Sequence, residues 1–520
     1  MKISLFNLLT CSKIVCCSFL LAMILGAGFS HAGSSDFNSD FNEEKAHNHS
    51  PNTQRFTLKQ FVTKVCEQND KIAYQKLDWI VSQENLKGEK SIFEPVLSLS
   101  VKKYKNHTRN TTEEARARLG DDEFEEKDVA LGMGVELLLA TGARLKTGFD
   151  FAKLNNSLQE NGNEYTTYPN FSITQPLLRD CGIKVTRANI DLSQALSEVA
   201  KQEYRQELMY IVSQAIAAYW KLFQAQEILK IRSESLEKTK IMLAHLAEEV
   251  KFGKTAETEL LDMEAGLAFH RTKEREARQK IVSAVNELRN FLFSTAREGT
   301  PSIVAIDTPG ENVSTPDFEK SLKRSFELRP EYIAGLKKLA YENIRIAYAK
   351  NQRYPQVDLK ASYGLNGFGS DTGEAWDESE LADHISWSVG LDVSIPLYGG
   401  QKSKSELITA RHRKKQALLD IKATEIALTN SIDTALRNII TARDMLVEYD
   451  KIVSIKSRML DIESERFRSG QSNSKLVLDS GGRLNKALED RIKSLIYYED
   501  AQMALKFAEG SFLQDYEIKE

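Results

Sequence analysis

The sequence predicts an α+β protein in which long helical hairpins and amphipathic β-strands occur twice along the chain. Two stretches of 66 residues, Thr186–Lys251 and Ser403–Arg468, contain no proline and space their apolar residues as helices do. Each would form a helix of about 100 Å, because an α-helix rises about 1.5 Å per residue. In other segments apolar residues alternate with small or polar ones, which predicts strands with two unlike faces.

The alternation is clearest between Ile385 and Pro396, where apolar residues take every second position. One such segment is weak evidence, since a half-buried strand of a soluble protein alternates in the same way. Repeated alternation along one chain is stronger evidence for strands. Alternating segments occur at 97–101, 129–138, 144–153, 171–175, 357–365 and 385–396.

Composition limits how this chain can cross a membrane. The 520 residues are 41% hydrophobic, with a mean hydropathy of −0.40. After residue 32 no apolar run is long enough for a transmembrane helix, so any crossing is expected to use strands. The apolar run Ile14–Phe29 follows Lys2 and Lys13 and precedes a small-x-small cleavage site, which predicts a signal peptide at residues 1–32.

Charge and reactive residues exclude several functions. Without the leader the net charge is (70 − 2) − 74 = −6, which argues against a nucleic-acid partner. No catalytic, nucleotide-binding or metal-binding motif is present, so we expect no enzyme activity, cofactor or metal. The isolated histidines are expected to be solvated, and Cys66 and Cys181 to be free thiols. The histidines in question are His245, His270, His384 and His412.

The domain plan is a duplication. Residues 33–57 are polar and aperiodic, which predicts disorder. The first repeat, 58–293, contains a helix at Leu58–Ile92, strands within about 96–177 and a long helical hairpin. A proline-rich linker, 294–317, leads to the second repeat, 318–510, with a helix at Phe318–Gln352, strands within about 356–396 and a second hairpin. Residues 511–520 form a tail.

Each long helix is predicted to end at a glycine, Gly253 or Gly470, before the chain re-enters helix at Glu257–Phe293 or Ser474–Gly510. In each repeat the turn follows a strand-to-helix switch, which is Gln175-Pro176-Leu177 in the first repeat and Ile395-Pro396-Leu397 in the second. The two repeats therefore contain these features in the same order. In this arrangement the chain, from Leu58 to about Leu513, resembles the TolC-like outer-membrane efflux protein family.

The resemblance implies a homotrimer in the outer membrane of a Gram-negative bacterium. Each copy would contribute strands to one transmembrane β-barrel and helices to one periplasmic α-barrel. The expected function is a passive exit duct of a tripartite efflux or type I secretion system. Its partners would be a periplasmic adaptor, an inner-membrane pump and outer-membrane lipid. The alternative is a structural or adhesive coiled-coil envelope protein without a conducting lumen.

The first repeat departs from the family plan by two added strands within 129–153, which must form a hairpin if the chain is to return to the same side. If the hairpin joins the barrel wall, six strands from each of three copies give 18, against 12 in the family's usual plan. A hairpin folded outside the wall is the alternative. The short junction 139–143 suits a periplasmic turn, and the long polar stretches 105–128 and 154–167 suit outer loops.

Candidate functional residues lie at the helical turns. The resemblance implies that Asp479, Glu259 and Asp262 line the periplasmic mouth, where carboxylates from three copies would favour cations. The alternative for Asp479 and Glu259 is that they are ordinary acids in the first turn of a helix, where the helix dipole favours them. The resemblance also implies that Gly253 and Gly470 shape the turns that dock the adaptor. Two family positions differ here. Leu476 replaces one acid of a family pair, and Ser472 stands where the family's arginine would pair with Glu259.

Overall fold

The computed structural model describes residues 53–118, 120–157, 162–253, 255–293, 302–310, 317–397 and 400–515. The signal peptide predicted at 1–32 lies outside the described residues, as do 33–52, 294–301, 311–316 and 516–520. The helices are α1 (Leu58–Gln68), α2 (Asp70–Lys90), α3 (Thr112–Ala117), α4 (Ile183–Thr186), α5 (Ala188–Lys251), α6 (Glu257–Phe291), α7 (Phe318–Leu328), α8 (Pro330–Asn351), α9 (Thr372–Leu381), α10 (Gln401–Arg468), α11 (Ser474–Glu509) and α12 (Phe512–Asp515). The strands are β1 (Thr53–Phe56), β2 (Val96–Arg109), β3 (Glu123–Leu138), β4 (Arg144–Leu154), β5 (Glu164–Pro176), β6 (Ser302–Ala305), β7 (Gln356–Leu365), β8 (Gly367–Gly369) and β9 (Ile385–Ser394).

The two long hairpins form as predicted. Helices α5 and α10 contain 64 and 68 residues, and each pairs with the helix that follows it in the chain. Helix α5 also packs against α2, α8 and α11, so it contacts helices of both repeats. Among the described residues, no helix combines enough length and apolarity to span a membrane.

The helix that opens each repeat is broken, which the sequence analysis did not predict. In the first repeat Asn69 separates α1 from α2, and its side-chain oxygen accepts hydrogen bonds from the Lys71 and Ile72 amides. In the second repeat Arg329 adopts an extended conformation before Pro330, the first residue of α8. A capping asparagine and a proline at the first helical position both favour a new helix start.

Six strands form one antiparallel sheet in the order β2-β3-β4-β5-β7-β9, and β8 extends it by pairing with β5. The added hairpin, β3 and β4, lies between β2 and β5 within this sheet. The hairpin is therefore part of the same sheet as the other strands and does not fold outside it. The strands continue into 105–109 and 123–128 and begin again at 164, so the loops are shorter than the sequence predicted.

The turn of the added hairpin lies at the helical end of the sheet. The Leu139 amide donates to the Ala143 carbonyl at 2.7 Å, which closes the turn. The Gly182 amide donates to the Thr141 carbonyl at 3.0 Å and ties the turn to the start of α4. Gly142 has a φ of 92°, and a Cβ there would lie 2.5 Å from the Asp180 carbonyl oxygen. The predicted position of this short turn agrees with the structure.

The two faces of the sheet differ in chemistry. The strand register aligns rows of side chains that cross all six strands on one face or the other. One row is mostly apolar: Leu97, Val135, Thr147, Phe171, Tyr363 and Trp387. The adjacent row on the opposite face is small or polar: Ser98, Gly134, Gly148, Asn170, Gly364 and Ser386. We call these the apolar face and the polar face.

The prediction of disorder is wrong for residues 53–57, because a small second sheet forms there. Strand β1 pairs in parallel with β6 of the linker, and Thr57 caps α1. The buried Tyr219 of α5 holds both strands. Its hydroxyl donates to the Phe56 carbonyl at 2.9 Å and accepts from the Ile306 amide at 3.2 Å. Four residues per strand give little periodicity, so the pairing leaves no clear mark on the sequence.

The main apolar core lies where α1, α5, α6, β6 and the end of α11 meet. Fully buried members include Phe61, Val212, Tyr219 and Leu288. Both cysteines outside the predicted leader are free thiols, as expected, and both are partly buried. Burial raises the pKa of the Cys66 thiol to about 11, which makes it a poor nucleophile.

Candidate functional site

The predicted turn residues lie at the tips of the two hairpins. Gly253 has a φ of 66° and Gly470 a φ of 73°, and both are exposed, with no atom close enough to obstruct a Cβ. The left-handed conformation explains why each helix ends there on glycine. Phe252, beside the first glycine, is 77% exposed and gives that tip an apolar surface.

Glu259 joins the two tips within one chain. Its carboxylate accepts a hydrogen bond from the Ser474 amide at 2.7 Å, and the Ser474 hydroxyl donates to the Glu259 carbonyl at 3.3 Å. Ser474 is the first residue of α11 and is fully buried. A carboxylate at a helix N-terminus is stabilised by the free amides and the helix dipole. Glu259 therefore caps the first amide of α11 from the neighbouring hairpin, beside the N-cap that the Asn473 side chain provides.

Ser472 makes a different contact from the one its family position implies. Its hydroxyl donates a hydrogen bond to the Glu463 carboxylate of α10, which also lies 3.6 Å from Arg466. Within the described residues, the contact that joins Glu259 to the second hairpin runs through Ser474. This contact could not be identified from the sequence, because every residue except proline has a backbone amide and the amide of Ser474 carries no residue-specific signal.

Asp262 and Asp479 line one open groove of about 770 Å³ between α6, α10 and α11. Both side chains are exposed. Lys456, Lys475 and Lys486 lie in the same groove, so its charge is mixed. Gly266 lets α6 approach α11 closely here, because a Cβ would lie 2.7 Å from Leu478 Cδ1.

A buried polar cluster lies deeper in the bundle, about 27 Å from the first tip by helical rise. Arg232 Nε of α5 lies 2.5 Å from Glu489 Oε1 of α11, and their side chains are only 16% and 10% exposed. Asn485 donates to Ser235 Oγ at 2.8 Å, and Ser235 Oγ lies 3.2 Å from His270 Nδ1. The cluster thus connects α5 and α6 of the first repeat to α11 of the second.

The prediction that His270 is solvated is wrong, because its side chain is only 5% exposed. Burial lowers the pKa of its imidazole, and the nearby Arg232 guanidinium lowers it further. A neutral ring also fits the hydrogen bonds, since Ser235 accepts from Asn485 and can donate its own proton to Nδ1. The periodicity of α6 gave no sign of this burial, because Glu274, one turn further, is charged and buried too.

We expect the stability of the helical bundle to fall when the pH is lowered from 7.5 to 5.5. Because the folded chain favours the neutral His270 ring, the contribution of this ring to the free energy of unfolding is complete above its ordinary pKa of 6.5. This contribution is lost as the pH falls towards the lowered pKa of the folded state. His270→Asn should flatten this part of the profile, whereas His245→Asn, at an exposed position of α5, should leave it unchanged. Thermal unfolding at several pH values measures both. Equal profiles for the two variants would contradict the assignment.

Among the described residues, no group of histidine, cysteine or carboxylate side chains could hold a metal ion. The features with distinct chemistry are therefore the hairpin tips, the groove, the buried cluster and the two-faced sheet.

Comparison with known proteins matches this architecture. Residues 334–511 match the family model of the outer membrane efflux proteins. Outer membrane protein TolC of Escherichia coli (strain K12) is 22% identical over 379 residues, which cover 71% of this chain and 74% of TolC. Outer membrane efflux protein BepC of Brucella suis biovar 1 is 18% identical over 401 residues, 77% of this chain and 82% of BepC.

Solved structures show the same fold. The outer-membrane channel OprN superimposes with a TM-score of 0.63 at 16% identity, covering 87% of this chain and 89% of OprN. The Campylobacter jejuni CmeC outer membrane channel gives a TM-score of 0.61 at 15% identity, covering 93% and 94%. Residues 334–511 therefore resemble the outer membrane efflux proteins in sequence, and the chain as a whole has the fold of these outer-membrane channels.

Proposed function

We propose that three copies of this chain form an outer-membrane exit duct. The duct passively conducts substrates from a periplasmic adaptor and an inner-membrane pump to the outside of a Gram-negative cell. Relatives named for efflux and for protease secretion support a role in tripartite efflux or type I secretion.

The two-faced sheet with two open edges carries this proposal. β2 and β9 are the outer strands of the sheet order, and the residues of β9 are exposed along its whole length. Unpaired edges are not tolerated in lipid, because nothing there satisfies the backbone amides and carbonyls. Transmembrane barrels have at least about eight strands, so six strands do not close one alone. Because β2 and β9 run in opposite directions, β9 of one copy can pair antiparallel with β2 of the next.

The chemistry of the faces favours a conducting duct over a structural or adhesive rod. If the apolar face meets lipid, the polar face lines the lumen. Lys360 and Asp392 form an ion pair on that face, and Ser362 Oγ lies 2.7 Å from Ser388 Oγ. A rod without a lumen would contain no aqueous channel for such a surface to line. Three copies of six strands give an 18-stranded wall.

We assign the hairpin tips to the periplasmic mouth. Gly253, Gly470 and the exposed Phe252 would contact the adaptor, and Asp262 and Asp479 would line the entrance. Glu259 is assigned a related role through the cap on Ser474, since that cap holds the two tips of each copy together.

Conductance across a planar bilayer tests the proposal. The purified protein should give discrete steps with a preference for cations. Changing both Asp262 and Asp479 to Asn should reduce the ratio of cation to anion permeability, because two carboxylates per copy are removed from the mouth. Asp420→Asn, on the exposed surface of α10, is the matched control. Protein that inserts but shows no steps would favour the non-conducting alternative.

Glu259→Gln should open the mouth more often. The neutral side chain still reaches the Ser474 amide but interacts less strongly with the N-terminus of α11. A loss of about 1 kcal/mol per copy, typical of a weakened cap, would shift the balance between closed and open states by about fivefold for each copy. Single-channel recording measures the open fraction.

Glu257→Gln is the control for this variant, since Glu257 lies in the same first turn and is exposed. If the two variants show equal open fractions, Glu259 does not hold the tips together.

A further inference from the structure

Helix α9, in the connection between β8 and β9, packs on the sheet. Thr167 Oγ1 of β5 donates to the Ala375 carbonyl at 2.7 Å, and the Trp376 ring lies 5.2 Å from the Phe149 ring of β4. A Cβ on Gly367 would lie 1.9 Å from the Ala375 carbonyl oxygen, so glycine is required at this contact. Ala375 is fully buried against the sheet.

The register shows which face α9 covers. Phe149 pairs with Met133 of β3, and Thr167 pairs with Phe151 of β4. These residues share the parity of Thr147 and Phe171, which belong to the apolar face. Helix α9 therefore lies on the face that the proposed barrel turns outward, and not over the lumen.

The position of α9 along the sheet matches the upper boundary of a membrane. Thr167 is nine residues from Pro176, the helix-proximal end of β5, which is about 30 Å along a strand. With the usual barrel tilt of about 40° this becomes a height of about 23 Å, close to the apolar band of about 25 Å in outer-membrane barrels. Tyr165, whose ring lies 6.1 Å from that of Phe151, adds an aromatic side chain at this level.

The outward surface of α9 has the mixed character of an interfacial helix. Trp376 is 47% exposed and Leu381 is 71% exposed, and both can contact acyl chains. Asp377 and Glu380 are exposed beside them and require water or headgroups. Tryptophan is enriched at this boundary. Helix α9 packs mainly on β5, an interior strand of the sheet, and on β8, which pairs with β5.

We propose that α9 is an external interfacial helix. It lies outside the barrel wall at the boundary between acyl chains and headgroups of the outer leaflet, where Trp376 and Leu381 contact lipid. This inference rests on the proposed function, because it requires the apolar face to meet the membrane. The partner surface is a lipid bilayer.

Tryptophan fluorescence in vesicles tests the inference. One full-length variant keeps Trp376 alone (Trp79→Phe, Trp220→Phe, Trp387→Phe), and a matched variant keeps Trp387 alone, with Trp376→Phe in place of Trp387→Phe. Trp387 lies on the apolar face of β9, in register with Phe171, which is four residues nearer the helical end of β5 than Thr167. We expect both to be quenched by brominated lipid. Trp376 should respond most to bromine near the headgroups and Trp387 to bromine deeper in the chains.

The outcomes separate the two proposals. If Trp387 is quenched by lipid but Trp376 is quenched only by aqueous iodide, α9 is not interfacial, although the barrel is. If neither is quenched by lipid, the apolar face does not meet the membrane and both proposals fail. Because Trp220 is a core residue, a second measurement avoids changing it. A nitroxide on Leu381→Cys, in a chain with Cys66→Ser and Cys181→Ser, should be more accessible to oxygen than to a water-soluble nickel complex. The reverse order would contradict the inference.

Discussion

Glu489→Ala is expected to lower the free energy of unfolding of the helical bundle by about 3–5 kcal/mol. The change removes the partner of Arg232, whose side chain is only 16% exposed. A buried guanidinium without a counter-charge loses its hydration without compensation, and that penalty is larger than the net value of the intact pair. The midpoint of urea unfolding, followed by far-ultraviolet circular dichroism in detergent, measures the effect.

A matched pair on the surface provides the control. Glu448 and Lys451 form an ion pair at 2.7 Å with side chains 65% and 62% exposed. Glu448→Ala should therefore change the stability by less than about 1 kcal/mol. The double variant Arg232→Met with Glu489→Leu should recover much of the lost stability, because both charges are then absent. Equal effects of Glu489→Ala and Glu448→Ala would show that the Arg232 pair is not buried in the assembled protein.

Val389→Lys should destabilise the membrane-inserted protein by about 2–4 kcal/mol per copy, the cost of a lysine near the middle of the lipid-facing surface of a barrel. Val389 is 65% exposed on the apolar face of β9. Since Val389 contributes little to packing within one chain, lipid contact is the source of the expected loss. The fraction of folded, heat-resistant protein after insertion into vesicles with increasing urea measures it.

Ser388→Lys is the control, since the neighbouring position points to the polar face. It should change the stability by less than about 1 kcal/mol, because a lysine there meets the aqueous lumen. If Ser388→Lys were the more damaging change, the assignment of the two faces would be inverted.

Much of the fold could be predicted because its long elements have strong periodicity. The hairpin helices span dozens of residues, and Gly253 and Gly470 mark their ends. The strands were recognised by alternation, although the sequence alone left open where the hairpin at 129–153 would lie. That choice depends on pairing between strands distant in the chain, such as β5 with β7, which no local pattern records.

The predictions from sequence that differ from the structure were wrong for local physical reasons. Asn69 and Arg329 interrupt helices through capping and backbone geometry, while the apolar spacing continues across them. His270 was expected to meet water, and no helix pattern indicated that Arg232 and Glu489 would be buried. They are buried because α11 of the second repeat packs against α5 of the first. At the tips, the candidate residues could be named, but not the cap that Glu259 provides to Ser474.

Cysteine cross-linking between sheet edges tests the central claim, that copies join β9 to β2 in a closed ring. One cysteine replaces Ser98 or Ser100 of β2 and another replaces Ser386 or Ser388 of β9, in a chain with Cys66→Ser and Cys181→Ser. The two edges of one sheet lie about 24 Å apart, since neighbouring strands are separated by about 4.8 Å, so a bond within one chain is not possible. Because the edges are unlike, oxidation should give covalent trimers when both cysteines are present and only monomers when either is present alone. Covalent dimers from a single-cysteine variant, or no cross-link in any of the four pairs, would contradict the account.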